Sequence, residues 1–329
     1  MKKTLVIILA VLAVLSATGV SCEGDYSGPL ESISIGRTTS EVNSLILIAE
    51  DQGYFVSNGL DVAHRIYASG VAAVGGMLNR EVDLATGSEF AFAGGVLSGE
   101  NIRTIGVISR SSVEYLVGRT DSGINDVADL KGKRIGVPLK SRPEFSLDRF
   151  LLLRGINSSE VTLVNVPVNQ SVDALVNGEV DAVTAWQPYI DRIRDRMGNG
   201  LIVWKTQEEQ PSYSLVMCTA QWTADNPELV KRFLESLIQA ESYVMNHPGS
   251  AKAIIQEKLN YDDAYMDSVW PDYRFSVLLD QSLIAAMEDE ARWMISANLT
   301  VEKETPDFVN YIYLDGLEAV KPEAVNIIR

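Results

Sequence analysis

Histidine and cysteine are nearly missing from this chain: His64, His247, Cys22 and Cys218 are all that 329 residues contain. No two of the four stand within the short spacings that zinc sites use, so a Cys/His metal centre is excluded. Neither histidine lies near Cys218, which removes the usual partner of a catalytic thiol. No Gly-rich phosphate loop and no Ser-His-Asp set can be read, and no cofactor is expected. Basic residues are also short, 28 against 44 acidic ones, for a formal charge of −16. Nucleic-acid binding is driven by Lys and Arg meeting phosphates, so that class is set aside.

Long apolar runs are absent too, with one short exception. Met1-Lys2-Lys3 is followed by eleven residues, Leu5–Leu15, without a polar side chain, and then by the small residues Ser16, Ala17 and Gly19. A membrane-spanning helix needs about 20 apolar residues. A basic start, a short apolar run and small residues instead read as an export signal over residues 1–21. Cys22 comes next, followed by the polar Glu23, Gly24 and Asp25. This resembles a lipoprotein signal, whose cysteine becomes the lipidated first residue, although Gly19 stands where such signals usually carry Leu. The expectation is an extracytoplasmic protein, lipid-anchored at Cys22, with residues 22–29 as a tether. Cys218, inside the apolar "SLVMCTA", then has no disulfide partner and reads as a small core residue. Loss of the leader removes two lysines and no acid, taking the formal charge to −18.

What the chain does have is alternation. Strand-like runs at 30–36, 60–68, 82–86 and 102–109 alternate with helical patterns at 41–55, 71–79 and 89–99. A second series follows, with strands at 133–138, 161–166 and 181–186 and helices at 143–155, 171–178 and 188–196. After "SYSLVMCTA" (212–220) the pattern reads as helical almost throughout from Pro227 to Ala297. Such alternation predicts an α/β architecture, and the length exceeds what one core usually holds, so two lobes are expected. One decapeptide returns: "LNREVDLATG" (78–87) reappears as "VNGEVDAVTA" (176–185), with five of ten positions identical. In both copies a helix ends at Asn, a tight turn leads to Glu, a strand opens at Val-Asp, and a helix follows within three residues of Thr. Two copies of one βαβ unit predict two lobes facing each other across a cleft, with helix N-termini on both walls.

Several stretches carry a family resemblance. They are "IAEDQGYF" (48–55), "NGLDV" (58–62), "LNREVDLA" (78–85), "INDVADLKGKRIGVP" (124–138), "LVNGEVDAVTAWQPYIDRI" (175–193) and "NPELVKRFLESL" (226–237). In this order they resemble substrate-binding proteins of ABC importers, in the branch that includes nitrate, taurine, alkanesulfonate and thiamine-precursor binders. The resemblance implies a two-lobed periplasmic-binding-protein type II fold with two crossing hinge strands, near Tyr115–Arg119 and Ser214–Cys218. Lobe I would hold residues 30–116 and 217–329, and lobe II 117–216. It also implies a monomer without enzymatic activity. The partners would be a small anionic or zwitterionic ligand, a permease and its ATPase.

The cleft candidates follow from position at strand ends, and the resemblance points to the same turns. They are Arg37, Thr38 and Thr39; Ser69 and Gly70; Ser88 and Glu89; Ser141, Arg142 and Glu144; Trp186 and Gln187; and Tyr213. Thr39, Ser69, Ser88 and Ser141 can cap helices, bind ligand, or do both. Arg37 and Arg142 either lie solvated at the rim or grip an anion with paired N–H groups. Glu89 and Glu144 either answer the helix dipole or receive an ammonium or ring N–H. Trp186 is either core or a flat face for the ligand, with Tyr213 as a second one. An aromatic pair would equally suit a pyrimidine ring, so a thiamine-precursor ligand stays open. A biosynthetic enzyme on the same fold is the rival from another class, and the export signal argues against it.

Overall fold

The computed structural model describes residues 26–207 and 210–328, so the expected leader, Cys22 and the first part of the tether lie outside the described residues. Among the described residues eleven strands form two sheets. They are β1 (Glu31–Arg37), β2 (Leu60–Ile66), β3 (Leu84–Ser88), β4 (Ile102–Ser111), β5 (Tyr115–Arg119), β6 (Arg134–Val137), β7 (Thr162–Asn165), β8 (Ala182–Ala185), β9 (Leu201–Lys205), β10 (Ser212–Thr219) and β11 (Tyr273–Leu278). The larger sheet runs β11-β4-β10-β3-β1-β2 and the smaller β7-β6-β8-β5-β9. Within them β1, β2 and β3 are mutually parallel, as are β6, β7 and β8, while β5 and β10 run antiparallel to their neighbours.

Each sheet carries its own core, which makes each a lobe. The larger is covered by helices such as Gly70–Leu78, Glu89–Leu97, Pro227–Asn246 and Gln281–Ser296, sharing one continuous apolar cluster with its strands. The smaller buries two clusters, one on each face: Leu116 and Ala182 point into one, Val117 and Val183 into the other. That alternation is the two-residue period of a strand covered on both faces.

The repeated decapeptide does the same structural work in both lobes. Arg80 and Gly178 occupy equivalent turn positions with φ of 60° and 72°. Glycine adopts that backbone freely, whereas arginine there is strained. After the turn, Asp83 and Asp181 each pin the neighbouring parallel strand, β1 at its middle and β6 at its start. Asp83 accepts the Ser34 N–H at 2.8 Å and the Ser34 hydroxyl at 2.6 Å. Asp181 accepts the Arg134 N–H at 2.9 Å, and its other oxygen takes an Arg134 guanidinium N–H at 2.8 Å. The register follows, Ile35 opposite Leu84 and Ile135 opposite Ala182. Both copies therefore set a βαβ unit whose next helix opens at the cleft.

Two expectations shift. The stretch read as helical after Pro227 contains β11, which joins the larger sheet beside β4. The passages between lobes also fall earlier than the resemblance implied. β5 pairs wholly within the smaller sheet and β10 wholly within the larger one, so one crossing is at residues 112–114 and the other begins at Thr206 and Gln207. The two crossings are stitched together: the Gln207 side-chain oxygen accepts the N–H groups of Val113 at 3.0 Å and Glu114 at 3.1 Å, and the Thr206 N–H donates to the Glu114 carbonyl at 3.0 Å.

Candidate functional site

Strand ends and helix starts of the larger lobe enclose a pocket of about 240 Å³ lined by hydroxyls. Ser69 and Ser88 are the N-caps of two nine-residue helices, their Oγ atoms accepting the N–H of Ala72 at 3.1 Å and Ala91 at 3.2 Å. Thr38, Ser109, Ser111, Ser212, Tyr213 and Ser214 complete the polar wall. Gly70 is required there: a Cβ on it would stand 3.0 Å from Gly87 Cα. No charged side chain lines this pocket. Neutral O–H donors beside two helix N-termini are suited to the oxygens of an anion.

A second pocket, about 290 Å³, adjoins it through Val42 and lies between the lobes. Ser40, Glu41 and Val42 of the larger lobe face Tyr115, Trp186 and Gln187 of the smaller one, and Tyr261, Tyr265, Asp272 and Tyr273 form a further wall. Glu41 is buried, and its carboxylate accepts three phenol hydroxyls: Tyr261 at 3.0 Å, Tyr265 at 3.1 Å and Tyr273 at 3.1 Å. Burial, and after it the Glu41 charge, pushes all three phenols up, so they remain hydrogen-bond donors. Asp272 takes the Tyr115 hydroxyl at 2.7 Å and the Lys205 ammonium at 2.6 Å, a bridge between lobes.

The two arginines expected to grip an anion are engaged elsewhere. Arg37 is buried, its Nε donating to His64 Nδ1 at 3.0 Å and its Nη1 to the Thr38 carbonyl at 3.2 Å. Burial also holds His64 below the usual histidine range, and its Nδ1 acts as acceptor, so the imidazole is neutral. Arg142 opens the Arg142–Leu153 helix of the smaller lobe and meets three carboxyls. Glu89 Oε1 lies 3.1 Å from its Nη2, Glu114 Oε1 3.1 Å from its Nη1, and Glu290 Oε1 3.8 Å from its Nε. Burial alone would lower the guanidinium, but the three carboxyls more than offset it and hold it charged. Burial lifts Glu89 above its ordinary value and Glu290 well above it, with Arg142 opposing in both. Glu290 finds no hydrogen-bond partner for either oxygen.

The remaining candidates divide. Thr38, Ser69, Gly70, Ser88 and Tyr213 line the hydroxyl pocket, and Trp186 with Gln187 lines the interlobe pocket. Thr39 is exposed, Ser141 donates to the Pro138 carbonyl, and Glu144 accepts the Lys140 N–H, so these serve their own turns. Sequence reading missed Glu41, Asp272 and the tyrosines of "YDDAY" and "PDYRF". Tyr265 lies on the Asp263–Val269 helix while Tyr261 precedes it, so their four-residue spacing carried no reliable signal and their convergence on Glu41 is tertiary. Among the described residues no His/Cys/Asp/Glu group could hold a metal ion, and no helix is long and apolar enough to cross a membrane.

Residues 42–251, more than half of the chain, match the model of the family described as NMT1/THI5 like. Over 299 residues the chain is 24% identical to the "Putative aliphatic sulfonates-binding protein" of Bacillus subtilis, covering 88% of this chain and 89% of that one. Its fold is that of the periplasmic aliphatic sulphonate binding protein of Escherichia coli, with a TM-score of 0.72 at 16% identity over 88% of this chain and 98% of the other. A desulfurization enzyme shares it as well, with a TM-score of 0.66 at 17% identity over 89% and 99% of the two chains. The fold is thus the two-lobed one of periplasmic binding proteins, and it hosts both binders and an enzyme.

Proposed function

Because the chain belongs to the NMT1/THI5-like family, we propose that it is the extracytoplasmic solute-binding component of an ABC importer. In this reading it clamps a small anionic or zwitterionic ligand of the sulfonate or taurine kind between its lobes. The observation that carries the reading is the hydroxyl pocket: neutral donors and two helix N-termini converge at strand ends and open toward an interlobe cavity. An anion's oxygens would sit on those donors, and the smaller lobe would then close with Trp186 over the ligand. A permease and its ATPase are the partners this role requires, and Cys22 would carry the lipid anchor.

The fold's enzymatic use is disfavoured by the state of the reactive groups. Cys218 is fully buried in the larger core, and burial pushes its thiol well up, so no thiolate is offered. His64 is locked as an acceptor for Arg37, and His247 stacks on Tyr243 at 4.9 Å. We therefore expect binding without turnover.

A thermal-shift screen with methanesulfonate, taurine, nitrate and an aminopyrimidine tests the reading. A true ligand stabilises the fold by about 2.7 kcal/mol at a hundredfold excess over its dissociation constant. Small-angle scattering should register a change in compaction between ligand-free and saturated protein. Steady product formation from any of these compounds would overturn the proposal, as would stabilisation by none of them.

A further inference from the structure

The interlobe pocket differs in kind from the hydroxyl pocket beside it. Five aromatic side chains line it, Tyr115, Trp186, Tyr261, Tyr265 and Tyr273, and no Lys or Arg does. Three carboxylates line it as well. Asp272 is neutralised by Lys205, and Glu114 faces Arg142 through one oxygen only, its Oε2 being buried without a partner. Glu41 has no basic partner among the described residues. Three phenols surround it, and they stabilise its charge without cancelling it. A cavity with π surface and uncancelled negative charge favours a cation.

The hydrogen bonding narrows which cation. A primary ammonium brings three N–H donors that need acceptors when desolvated. Here the acceptors are mostly taken: Glu41 by Tyr261, Tyr265 and Tyr273, and Asp272 by Tyr115 and Lys205. A cation with its nitrogen alkylated needs at most one acceptor, and the free Glu114 Oε2 is one. We propose that this pocket is a subsite for an alkylated ammonium group, the positive end of a ligand whose anionic end rests on the hydroxyl wall. The proposal builds on the solute-clamp reading and narrows its ligand to a zwitterion with a tertiary or quaternary nitrogen.

The test uses single-ended probes on the purified mature protein, read by calorimetry and thermal shift. Choline supplies the quaternary nitrogen, 3,3-dimethyl-1-butanol is its uncharged isostere, and methanesulfonate probes the hydroxyl pocket alone. Choline should bind and the isostere should not. Glu41→Gln should weaken choline by about tenfold or more while leaving methanesulfonate unchanged. If Glu41→Gln fails to fold, the comparison of choline with its isostere in the unmodified protein decides independently. Equal binding of choline and the isostere would overturn the subsite, as would silence of choline where methanesulfonate binds; the clamp reading would survive either result. Silence of all three probes, together with failure of the wider ligand screen, would overturn both.

Discussion

Arg142 and Glu89 meet at 3.1 Å across the two lobes, and their side chains keep only 8% and 0% of their surface exposed. Around them the lobes are buttoned together. Trp293 Nε1 donates to Asp148 at 3.2 Å, Phe145 packs edge-on to Trp293 with ring centroids 5.8 Å apart, and Arg149 pairs with Asp289. On the other side of the interlobe pocket, Asp272 ties Tyr115 and Lys205 to the larger lobe. A buried ion pair is weak evidence of net stability, but removing one partner strands the other. Arg142→Met should therefore destabilise the protein by about 3–5 kcal/mol at neutral pH. The loss should shrink at pH 5, where the stranded carboxyls can take up protons. Denaturant unfolding at both pH values checks this, and a loss below about 1 kcal/mol at neutral pH would show the cluster to be solvated.

The same cluster fixes a pH dependence. Burial raises the folded-state pKa of Glu290 well above its ordinary value, and Glu89 and Asp289 reinforce the shift against Arg142. A raised carboxyl contributes stability that is present below its unfolded pKa of about 4.3 and is lost as pH rises through the folded value. Over that window the slope is at most about 1.4 kcal/mol per pH unit for one proton. Glu290→Gln mimics the protonated state, so it should flatten the fall in Tm between pH 5 and pH 9. It should cost little at pH 5 and stabilise at pH 8 relative to the unmodified chain. Parallel Tm curves for the two proteins would mean that Glu290 is ionised in the fold.

What could be read in advance depended on sequence distance. The repeat was legible because each copy is local: helix end, turn and strand start lie within ten residues, and Asp83 and Asp181 then find equivalent neighbours. The turns at Ser69, Ser88 and Trp186 were legible for the same reason. Arg142 and Glu89 were both picked out, but their pairing and Glu290 were not, since Glu89 and Glu290 come from helices packed against Arg142 only in the tertiary fold. Glu41 and its tyrosines are more than 200 positions apart, beyond any local pattern. β11 was taken for helix because "YRFSVL" is short and set in a long helical region, and sheet pairing with β4 decides it.

Cys22 gives a prediction independent of the folded lobes. If it carries lipid, the protein should partition into detergent from membranes, and Cys22→Ser should release it as soluble protein. The Tm of the released variant should match that of the anchored form, because Cys22 precedes Tyr26, whose N–H already donates to the Ser57 carbonyl and whose ring packs under Arg232. A mature N-terminus elsewhere, determined by mass spectrometry, would contradict lipidation.

The last prediction concerns Trp186, where the second copy of the repeat departs from the first. The first copy runs on to Ser88 and Glu89, and the second to Trp186 and Gln187. One wall of the cleft is thus small and polar, and the other offers an indole. Trp186 is half-buried, lines the interlobe pocket, and belongs to none of the three apolar cores. Trp186→Ala should therefore weaken ligand binding by about 1–3 kcal/mol. Its stability cost should stay below the 3–5 kcal/mol, roughly, of a truncated core tryptophan. Fluorescence separates two events: Trp293, bonded to Asp148 across the lobes, reports opening, while Trp186 reports the ligand. In a Trp293→Phe background the ligand-induced change should survive, and it should vanish when Trp186 is removed as well. Normal binding by Trp186→Ala together with a steep fall in Tm would make the indole a core element and remove it from the cleft.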